Sequence, residues 1–265
     1  GGNDIQQTER YLFGGVVSIL REGESLGSFY LYESNGVFST AKEAAEAGYI
    51  DKISKSNGGQ PVAGDARWVD QNKDGVIDTK DKIIAGNPIP DFTGGLNNTF
   101  KYKGLSLDAF FQFSKGNDVY NNFRTDLVRG FNTNYLKENL DAWKQEGDIT
   151  DVPRNVLLDP ANNSEGVVAR PSTRFLEDGS FIKLKTVTLT YEFPNSVLEK
   201  LKLSGLKVYA KGTNLLTITE YSGFDPEVSV AQNNNAGQNG GFQFGIDRGL
   251  YPLSKSITLG LSLDF

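Results

Sequence analysis

The final stretch of the chain, residues 255–265, alternates strictly between apolar and polar side chains. Apolar residues take every odd position from Ile257 to Phe265, and polar or small residues take the positions between them. This period of two is typical of a β-strand with one apolar and one polar face. Eleven residues at about 3.3 Å each, tilted by roughly 40°, span about 28 Å, close to the thickness of a bilayer core. A strand of a soluble sandwich alternates in the same way but averages only about five or six residues.

Four further segments carry similar patterns, so the sequence predicts five long strands. These segments are residues 92–102, 105–113, 181–193 and 206–218. In residues 181–193 the apolar side chains change phase, from Ile182 and Leu184 at even positions to Val187 and Leu189 at odd positions. This change predicts either a β-bulge or the point where the strand leaves a membrane.

The connections between the five segments alternate in length. Residues 103–104 and 194–205 are short connections, whereas residues 114–180 and 219–254 are long ones. Outer-membrane β-barrels have short periplasmic turns and long outer loops. If the last strand runs towards the periplasm, both long connections and the residues before 92 lie outside the cell.

Five strands are too few to close a membrane barrel, which needs about eight. An open set would leave unpaired strand edges in lipid, where nothing satisfies their backbone groups. Either the chain is the C-terminal part of a larger barrel, or the membrane interpretation is wrong.

Two short helices are predicted within the outer connections. Thr40 and Glu43 have the spacing of a capping box, and Gly48 is placed to end the helix that they begin. Residues 134–146 carry an apolar stripe at helical spacing before Gly147. The polar run at residues 232–241 predicts a loop tip.

Composition excludes several classes of function. The chain has no Cys, His or Met, which removes Cys/His zinc sites, thiol catalysis and any Ser-His-Asp triad. The missing cysteines fit a reducing compartment or an exported protein without disulfides. A net charge of −6 argues against a nucleic-acid partner. We expect no signal peptide within this chain and no helix of the roughly 18 apolar residues that cross a membrane.

Residues 70–81, DQNKDGVIDTKD, have nearly the spacing of an EF-hand calcium loop. The predicted calcium ligands are Asp70, Asn72, Asp74, the carbonyl of Val76, Asp78 and Asp81. Gly75 permits the sharp turn, and Ile77 is placed to anchor the loop in a core. The alternative is a series of Asx turns, in which the side chains bond only their own backbone and nearby lysines offset the charge.

If calcium binds to this loop, the flanks predict a structural brace and not a switch. Asp81 stands where EF-hands usually have Glu, which shortens the bidentate ligand. Residues 66–69 are predicted to be extended, and Pro88 and Pro90 exclude an exit helix. Without paired helices nothing opens when the ion binds. Weak calcium sites of this kind suit extracellular modules.

Four stretches and the terminal Phe265 carry a family pattern. The stretches are residues 64–96 (GDARWVDQNKDGVIDTKDKIIAGNPIPDFTGGL), 180–194 (SFIKLKTVTLTYEFP), 214–228 (NLLTITEYSGFDPEV) and 27–38 (GSFYLYESNGVF). They resemble the SusC/RagA-type TonB-dependent transporters of the outer membrane of Bacteroidetes-type bacteria. Lys73 and Thr190 depart from the family pattern, which has Gly at both places. Lys73 falls at loop position 4, which supplies no calcium ligand.

The resemblance implies an all-β protein, the C-terminal strands of an antiparallel barrel of 22 strands. Residues 1–91 would form an extracellular loop and rim region, and residues 92–265 would form barrel strands with long outer loops. The implied function is active import of glycan oligosaccharides or peptides, without enzyme activity. The implied partners are the plug and N-terminal strands of the same transporter, a SusD-like surface lipoprotein, TonB and outer-membrane lipid.

Aromatic side chains in the outer loops have two interpretations. They could stack on sugars or dock a lipoprotein lid, but packing within the loops is the interpretation we favour for most of them, and also for Trp68. These aromatic residues are Tyr120, Phe123, Phe131, Trp143, Tyr221 and Phe224.

Two other classes of protein remain as alternatives. A soluble, secreted, calcium-stabilised β-sandwich binding module would also fit the strand pattern and the acidic loop. A glycoside hydrolase would need two paired carboxylates, and no such pair is evident at the ends of consecutive strands.

Overall fold

The computed structural model of the chain describes residues 11–12, 15–19, 21–54, 56–128, 135–156, 164–165, 168–228 and 244–265. The chain forms two compact units, each assembled from separate segments. The loop-rich unit comprises Gly1–Ile89, Asp118–Glu177 and Val228–Gly249, and the sheet unit comprises Pro90–Asn117, Asp178–Glu227 and Leu250–Phe265. The predicted division into residues 1–91 and 92–265 stays a prediction.

Strands dominate the described residues, and most of the short ones belong to the loop-rich unit. In chain order they are β1 (Tyr11–Leu12), β2 (Gly15–Val16), β3 (Ser18–Ile19), β4 (Ser28–Tyr32), β5 (Ser34–Val37), β6 (Ile50–Asp51), β7 (Ala66–Trp68), β8 (Val76–Ile77), β9 (Lys82–Gly86), β10 (Phe92–Tyr102), β11 (Leu105–Lys115), β12 (Asp118–Asn121), β13 (Ser164–Glu165), β14 (Val168–Ala169), β15 (Leu176–Asp178), β16 (Phe181–Glu192), β17 (Gly205–Thr219), β18 (Ile246–Asp247) and β19 (Ser256–Asp264).

Helices are short throughout the described residues. The α-helices are α1 (Ala41–Ala45), α2 (Asn122–Val128) and α3 (Asn195–Leu201), and 3₁₀ turns cover Ser56–Gly59, Thr79–Asp81, Lys137–Asp141 and Thr173–Phe175. Among the described residues, no helix is both long and apolar enough to cross a bilayer.

The sheet unit is one antiparallel sheet with the strand order β10-β11-β16-β17-β19. These are the five predicted long strands, and each observed end lies within two residues of its predicted position. The prediction succeeds because successive side chains of a strand point to opposite faces, so a strand between two different environments shows a pattern with a period of two.

The predicted bulge is present in β16. The pairing register of β16 with β17 shifts between Leu184 and Thr186, where the apolar side chains change phase. Because the extra residue restores the pattern, Leu184 and Val187 lie on one face of the sheet although they are three residues apart.

The two short connections differ in form. Lys103 and Gly104 join β10 to β11 with φ angles of 46° and 84°, as a two-residue hairpin turn requires. A Cβ on Gly104 would lie 2.6 Å from the carbonyl oxygen of Glu192, so this position needs glycine. The connection from β16 to β17 holds α3, which the sequence pattern did not predict.

The loop-rich unit is built around two clusters of buried side chains. The first cluster comprises Val17, Phe29, Leu31, Tyr120, Val128, Phe175 and Ile246, and the second comprises Tyr32, Ala66, Trp68 and Ile77. Small sheets supply most of these residues: β4 pairs with β3 and β9, β5 pairs with β7, β6 pairs with β8, and β12 pairs with β15 and β18. Val128 comes from α2 and Phe175 from a 3₁₀ turn. Trp68 is a packing residue, as expected.

The capping box predicted for α1 forms in part: Thr40 caps the helix, but the Glu43 side chain bonds to the residue before the N-cap. Thr40 Oγ1 accepts the backbone N–H of Glu43 at 3.2 Å, and the Glu43 carboxylate accepts the N–H of Ser39 at 3.0 Å. The α-helix ends at Ala45, and Gly48 follows with φ of 75°. The start of this helix was therefore predicted correctly.

The helix predicted over residues 134–146 is wrong within the described residues, which begin again at 135. Only the 3₁₀ turn Lys137–Asp141 forms. The N–H of Trp143 donates to the carbonyl of Val152, and the N–H groups of Lys144 and Gln145 donate to the Asp148 carboxylate. These donors are therefore not available to a helix. The polar run at residues 232–241 lies outside the described residues.

Candidate functional site

The five-stranded sheet has one apolar face. The register places Leu107, Leu189, Ala210 and Leu259 in one row across β11, β16, β17 and β19. Exposure rises along this row, from 36% for Leu107 and 44% for Leu189 to 77% for Leu259, and Ala210 is partly buried. A soluble monomer rarely leaves so large an apolar patch uncovered, so this face marks a contact with an apolar environment.

The opposite face of the same sheet is polar. Its rows consist mainly of threonine and charged residues, such as Asp108, Thr188, Lys211 and Thr258. Thr99 Oγ1 donates to the Asp108 carboxylate at 2.5 Å across β10 and β11. The two faces therefore suit two different environments, one apolar and one aqueous or polar.

Aromatic side chains lie at both ends of the apolar face. At one end the rings of Phe92 and Phe113 meet edge to face, with centroids 6.1 Å apart. At the other end Tyr191 and Phe193 meet at 4.9 Å, near the exposed Tyr102. The ten steps from Phe92 to Tyr102 along a tilted strand span about 25 Å, the height of the apolar band of outer-membrane barrels.

A charged cluster lies at the polar face near the start of β16. The Lys183 ammonium contacts the Asp225 carboxylate and lies 2.6 Å from Glu227 Oε2. Lys185 Nζ is also 2.6 Å from Glu227 Oε2, and Gln112 donates to the Glu227 carboxylate at 3.2 Å. The Lys183 side chain is only 4% exposed. The cluster therefore ties the segment after β17 to the face of the sheet.

The bulge in β16 lies within this cluster. Lys185 is the extra residue, between the paired Leu184 and Thr186, and it contacts the same carboxylate as Lys183. Burial by itself raises the pKa of Glu227, but hydrogen bonds and attraction from the two lysines outweigh it and lower the pKa. Sequence reasoning missed this cluster, although paired lysines in a strand of alternating pattern were a usable signal.

The first half of the acidic loop closes through its own backbone. Asp70 Oδ2 accepts the N–H of Gly75 at 2.8 Å. Asn72 Oδ1 accepts the N–H of Asp74, and Asp74 Oδ1 accepts the N–H of Val76, both at 3.0 Å. These are the bonds that the Asx-turn alternative predicts.

The second half of the loop caps the 3₁₀ turn Thr79–Asp81. Asp78 Oδ1 accepts the N–H of Lys80, and Asp81 Oδ2 accepts the N–H of Asp78 at 2.8 Å. The fully buried Asp81 also accepts the N–H of Gln71 at 3.0 Å, which draws the two ends of the loop together. Asp81 therefore bonds to the backbone at both ends of the loop.

The fit of this loop to a metal ion is mixed. Among the described residues, no group of three or more Asp, Glu, His or Cys side chains is arranged to hold a metal ion. Asp70 Oδ1, however, is buried without a hydrogen-bond partner, and a cation would satisfy it. The calcium ligand set stays a prediction.

The surroundings of the loop fit a brace better than a switch. Ile77 is 0% exposed in the second core cluster, as the sequence predicted. The backbone N–H groups of Ile50 and Lys52 donate to the carbonyls of Gly75 and Ile77, so the loop is bonded into the unit. Strands β7 and β9 flank the loop where a calcium sensor would have helices.

A buried ion pair lies beside this loop in the second core cluster. Arg170 is 0% exposed, and its Nη2 is 2.8 Å from Asp51 Oδ2. The guanidinium carbon lies 4.4 Å from the centre of the Trp68 ring. Sequence reasoning gave no sign of this pair, because arginine is ordinarily an exposed residue.

Most of the predicted outer-loop aromatics pack within the protein. Tyr120 and Tyr221 are buried, and Trp143 donates its Nε1–H to the carbonyl of Ser39 at 3.1 Å. Phe123 is partly buried, and Phe224 is exposed. Phe131 lies outside the described residues. The packing interpretation therefore accounts for the larger part of the set.

Comparison with known proteins shows that the chain is related to the TonB-dependent receptors. TonB-dependent receptor P3 of Formosa agariphila is 36% identical over 247 residues, which cover 93% of this chain and 23% of the relative. TonB-dependent receptor SusC of Bacteroides thetaiotaomicron is 28% identical over 227 residues, covering 84% of this chain and 20% of the relative. No family model matches the chain.

Solved structures agree with the sequence comparison. The RagAB peptide importer in its open-open state has 28% sequence identity to the chain and a TM-score of 0.67, over 96% of this chain and 24% of that one. The closed-closed state of the same importer gives a TM-score of 0.66. The resemblance to SusC/RagA-type TonB-dependent transporters is thus confirmed. The chain spans about a quarter of the length of the relatives it matches.

Proposed function

We propose that the chain is the C-terminal part of a TonB-dependent outer-membrane transporter that imports oligosaccharides or peptides. The observation that carries the proposal is the continuous apolar face of the sheet, bounded by aromatic side chains about 25 Å apart. The relatives support it, since they are TonB-dependent receptors and a peptide importer. No catalytic residue is part of the proposal.

In this role the sheet is a segment of the barrel wall. The apolar face lies in lipid and the polar face lines the interior, where the plug of the same transporter sits. The remaining strands of a 22-stranded barrel pair with the outer edges of β10 and β19, which would otherwise expose backbone groups to lipid. A SusD-like lipoprotein covers the outer loops, and TonB supplies energy through the plug.

An uptake assay on the complete transporter tests this function. Cells that produce it are supplied with labelled oligosaccharides or labelled peptides, with matched cells lacking TonB as the control. We expect TonB-dependent uptake of one of the two classes and co-purification with a SusD-like lipoprotein. Uptake that does not depend on TonB, or a protein that stays monomeric in water without detergent, would contradict the proposal.

For the acidic loop we propose a calcium ion that braces the loop without acting as a switch. Asp70, Asn72, Asp74, Asp78, Asp81 and the Val76 carbonyl supply oxygen, the ligand type that calcium takes. The unpartnered Asp70 Oδ1 supports the proposal, and the backbone bonds within the loop support the Asx-turn alternative.

Thermal unfolding in calcium and in chelator separates these alternatives. With a dissociation constant of 10⁻⁴–10⁻³ M, typical of extracellular modules, about 10 mM calcium stabilises the folded protein by roughly 1.4–2.7 kcal/mol. We expect Asp70→Ala with Asp74→Ala to abolish this increment, and Glu22→Gln, at an exposed turn, to leave it intact. Equal stability of the parent protein in calcium and in chelator would show that the loop does not bind calcium.

A further inference from the structure

Both short connections lie at the same end of the sheet. Tyr102 pairs with Leu105, Leu105 pairs with Tyr191, and Tyr191 pairs with Val208, so one row of residues borders both connections. This row ends the apolar face, and its members Tyr102 and Tyr191 are tyrosines. Tyrosine at such a boundary is typical of the interface between lipid tails and headgroups.

Lys103 lies on the apolar side of this end. Its Nζ is 5.3 Å from the centre of the Tyr102 ring, and Tyr102 is 71% exposed on the apolar face. Lys103 and Gly104 together form the hairpin turn, both with positive φ. A lysine at the edge of an apolar band can keep its methylene groups in the hydrocarbon while its ammonium group reaches the lipid headgroups.

The second connection adds two exposed lysines. Lys200 is in the last turn of α3, and Lys202 follows as its left-handed C-cap with φ of 55°. Leu201 between them is exposed as well, so apolar and cationic side chains alternate here. The last turn of a helix favours cations because its free carbonyls carry partial negative charge.

The carboxylates at this end do not cancel the lysines. Glu192 forms an ion pair with Lys207 at 2.9 Å, and both belong to the polar face of the sheet. Asp264 pairs opposite Gly205 on the same polar face. α3 also carries Glu199, next to Lys200 in the sequence, so the three lysines of the two connections outnumber this carboxylate.

We propose that Lys103, Lys200 and Lys202 form a binding surface for the phosphate groups of membrane phospholipids. The inference rests on the proposed function, because it requires the apolar face to lie in lipid. The surface lies on the periplasmic side, where outer-membrane barrels have their short turns. Its aromatic rings lie at the edge of the hydrocarbon, and its three ammonium groups bind the phosphates beyond that edge. Together they hold the sheet at a fixed depth in the membrane.

Lipid binding by the complete transporter tests the proposal. The protein is purified in an uncharged detergent and titrated with phosphatidylglycerol, and bound lipid is counted by native mass spectrometry. A basic residue near an anionic surface contributes about a fivefold factor in affinity. We expect the variant K103Q/K200Q/K202Q to bind at least tenfold more weakly than the parent.

The matched control is K101Q/K211Q, which removes two exposed lysines from the polar face of the same sheet. We expect the control to bind the lipid as the parent does. Equal loss in both variants, or no loss in the triple variant, overturns the proposal. All five lysines are exposed in this chain, and a thermal midpoint equal to the parent's shows that each variant folds.

Two further arms identify the ligand and its dependence on the proposed function. Inorganic phosphate is added as a competitor; displacement of lipid at equal concentration would assign the site to free phosphate and overturn the lipid proposal. A complete protein that is soluble without detergent refutes the proposed function, in which the sheet is part of a membrane barrel. A membrane-inserted triple variant with unchanged lipid binding refutes this inference alone.

Discussion

The two units of the chain differ in whether their apolar side chains are buried or exposed. In the loop-rich unit Phe29, Leu31 and Ile77 are fully buried in clusters formed by that unit itself. In the sheet unit the apolar residues point outwards, and Leu259 is among the most exposed of them. A unit with an internal core supplies its own hydrophobic stabilisation, whereas in the proposed function the sheet obtains it from lipid.

Charged residues follow the same division. The loop-rich unit places Arg170 inside its core against Asp51. The sheet unit keeps Lys183 at the polar face, where it joins a later segment of the chain to the sheet. Each unit can therefore be destabilised by a different kind of substitution, and the following predictions use this difference.

The largest effect is expected in the core of the loop-rich unit. Arg170→Met leaves Asp51 buried without its cation, which costs about 3–5 kcal/mol in the free energy of unfolding. Lys42→Met, which removes an exposed pair with Glu46, is expected to cost under about 0.5 kcal/mol. Chemical denaturation of both variants measures the difference, and equal costs would contradict the core role of Arg170.

The next effect compares the two faces of β16. Val187 is on the apolar face beside Ala109 and Gly212, and Thr188 is on the polar face opposite Asp108. Val187→Arg is expected to cost about 2–4 kcal/mol in a bilayer, because the charge lies near the middle of the apolar band. Thr188→Arg is expected to change stability little. Unfolding in lipid vesicles measures the stability of both variants. A larger cost for Thr188→Arg than for Val187→Arg would show that the other face of the sheet lies in lipid.

The third effect concerns the charged cluster. Lys183→Met leaves Asp225 and Glu227 without their most buried partner and is expected to cost about 1.5–3 kcal/mol. Lys185→Met removes a single, more exposed contact and is expected to cost less. Denaturant unfolding is the measurement, and hydrogen exchange in residues 220–228 is expected to rise in the first variant. Equal hydrogen exchange in the two variants would show that Lys183 does not hold residues 220–228 to the sheet.

The smallest effect is a pH dependence of the same cluster. Because the pKa of Glu227 is lowered in the folded protein, its contribution to stability is present above the usual glutamate range and is lost as the pH falls through the lowered value. We expect the thermal midpoint to fall below about pH 4.5, and to fall less steeply in the double variant K183M/K185M. Parallel curves would show that the lysines do not set this dependence.

The long strands could be predicted from the sequence because both of their faces meet a distinct environment. Ile257, Leu259 and Leu261 alternate with polar residues without a break, and a single phase change gave the position of the bulge near Leu184. The short strands of the loop-rich unit could not be predicted in this way. Strands of two to five residues, such as β6 and β8, are too short to show a period.

The remaining misses depend on contacts between distant parts of the chain. Trp143 bonds to Ser39 and Val152, and these partners prevent the helix that its apolar stripe predicted. Lys183 meets Asp225 across 42 positions of sequence, which no local pattern reveals. The backbone bonds of the acidic loop are those of the Asx-turn alternative, because Asp and Asn at this spacing satisfy their own backbone with or without an ion, and the calcium site predicted for this loop stays a prediction.

The central claim is that the apolar face of the sheet lies in lipid, and labelling along β19 tests it most directly. This chain has no cysteine, so single cysteines at successive positions from Ile257 to Leu263 can each carry a fluorescent label. In membranes holding the complete transporter, we predict that labels at 257, 259, 261 and 263 are quenched by a lipid-soluble quencher. Labels at 258, 260 and 262 are predicted to respond to a polar environment instead. Equal quenching by a water-soluble agent at every position would contradict the account.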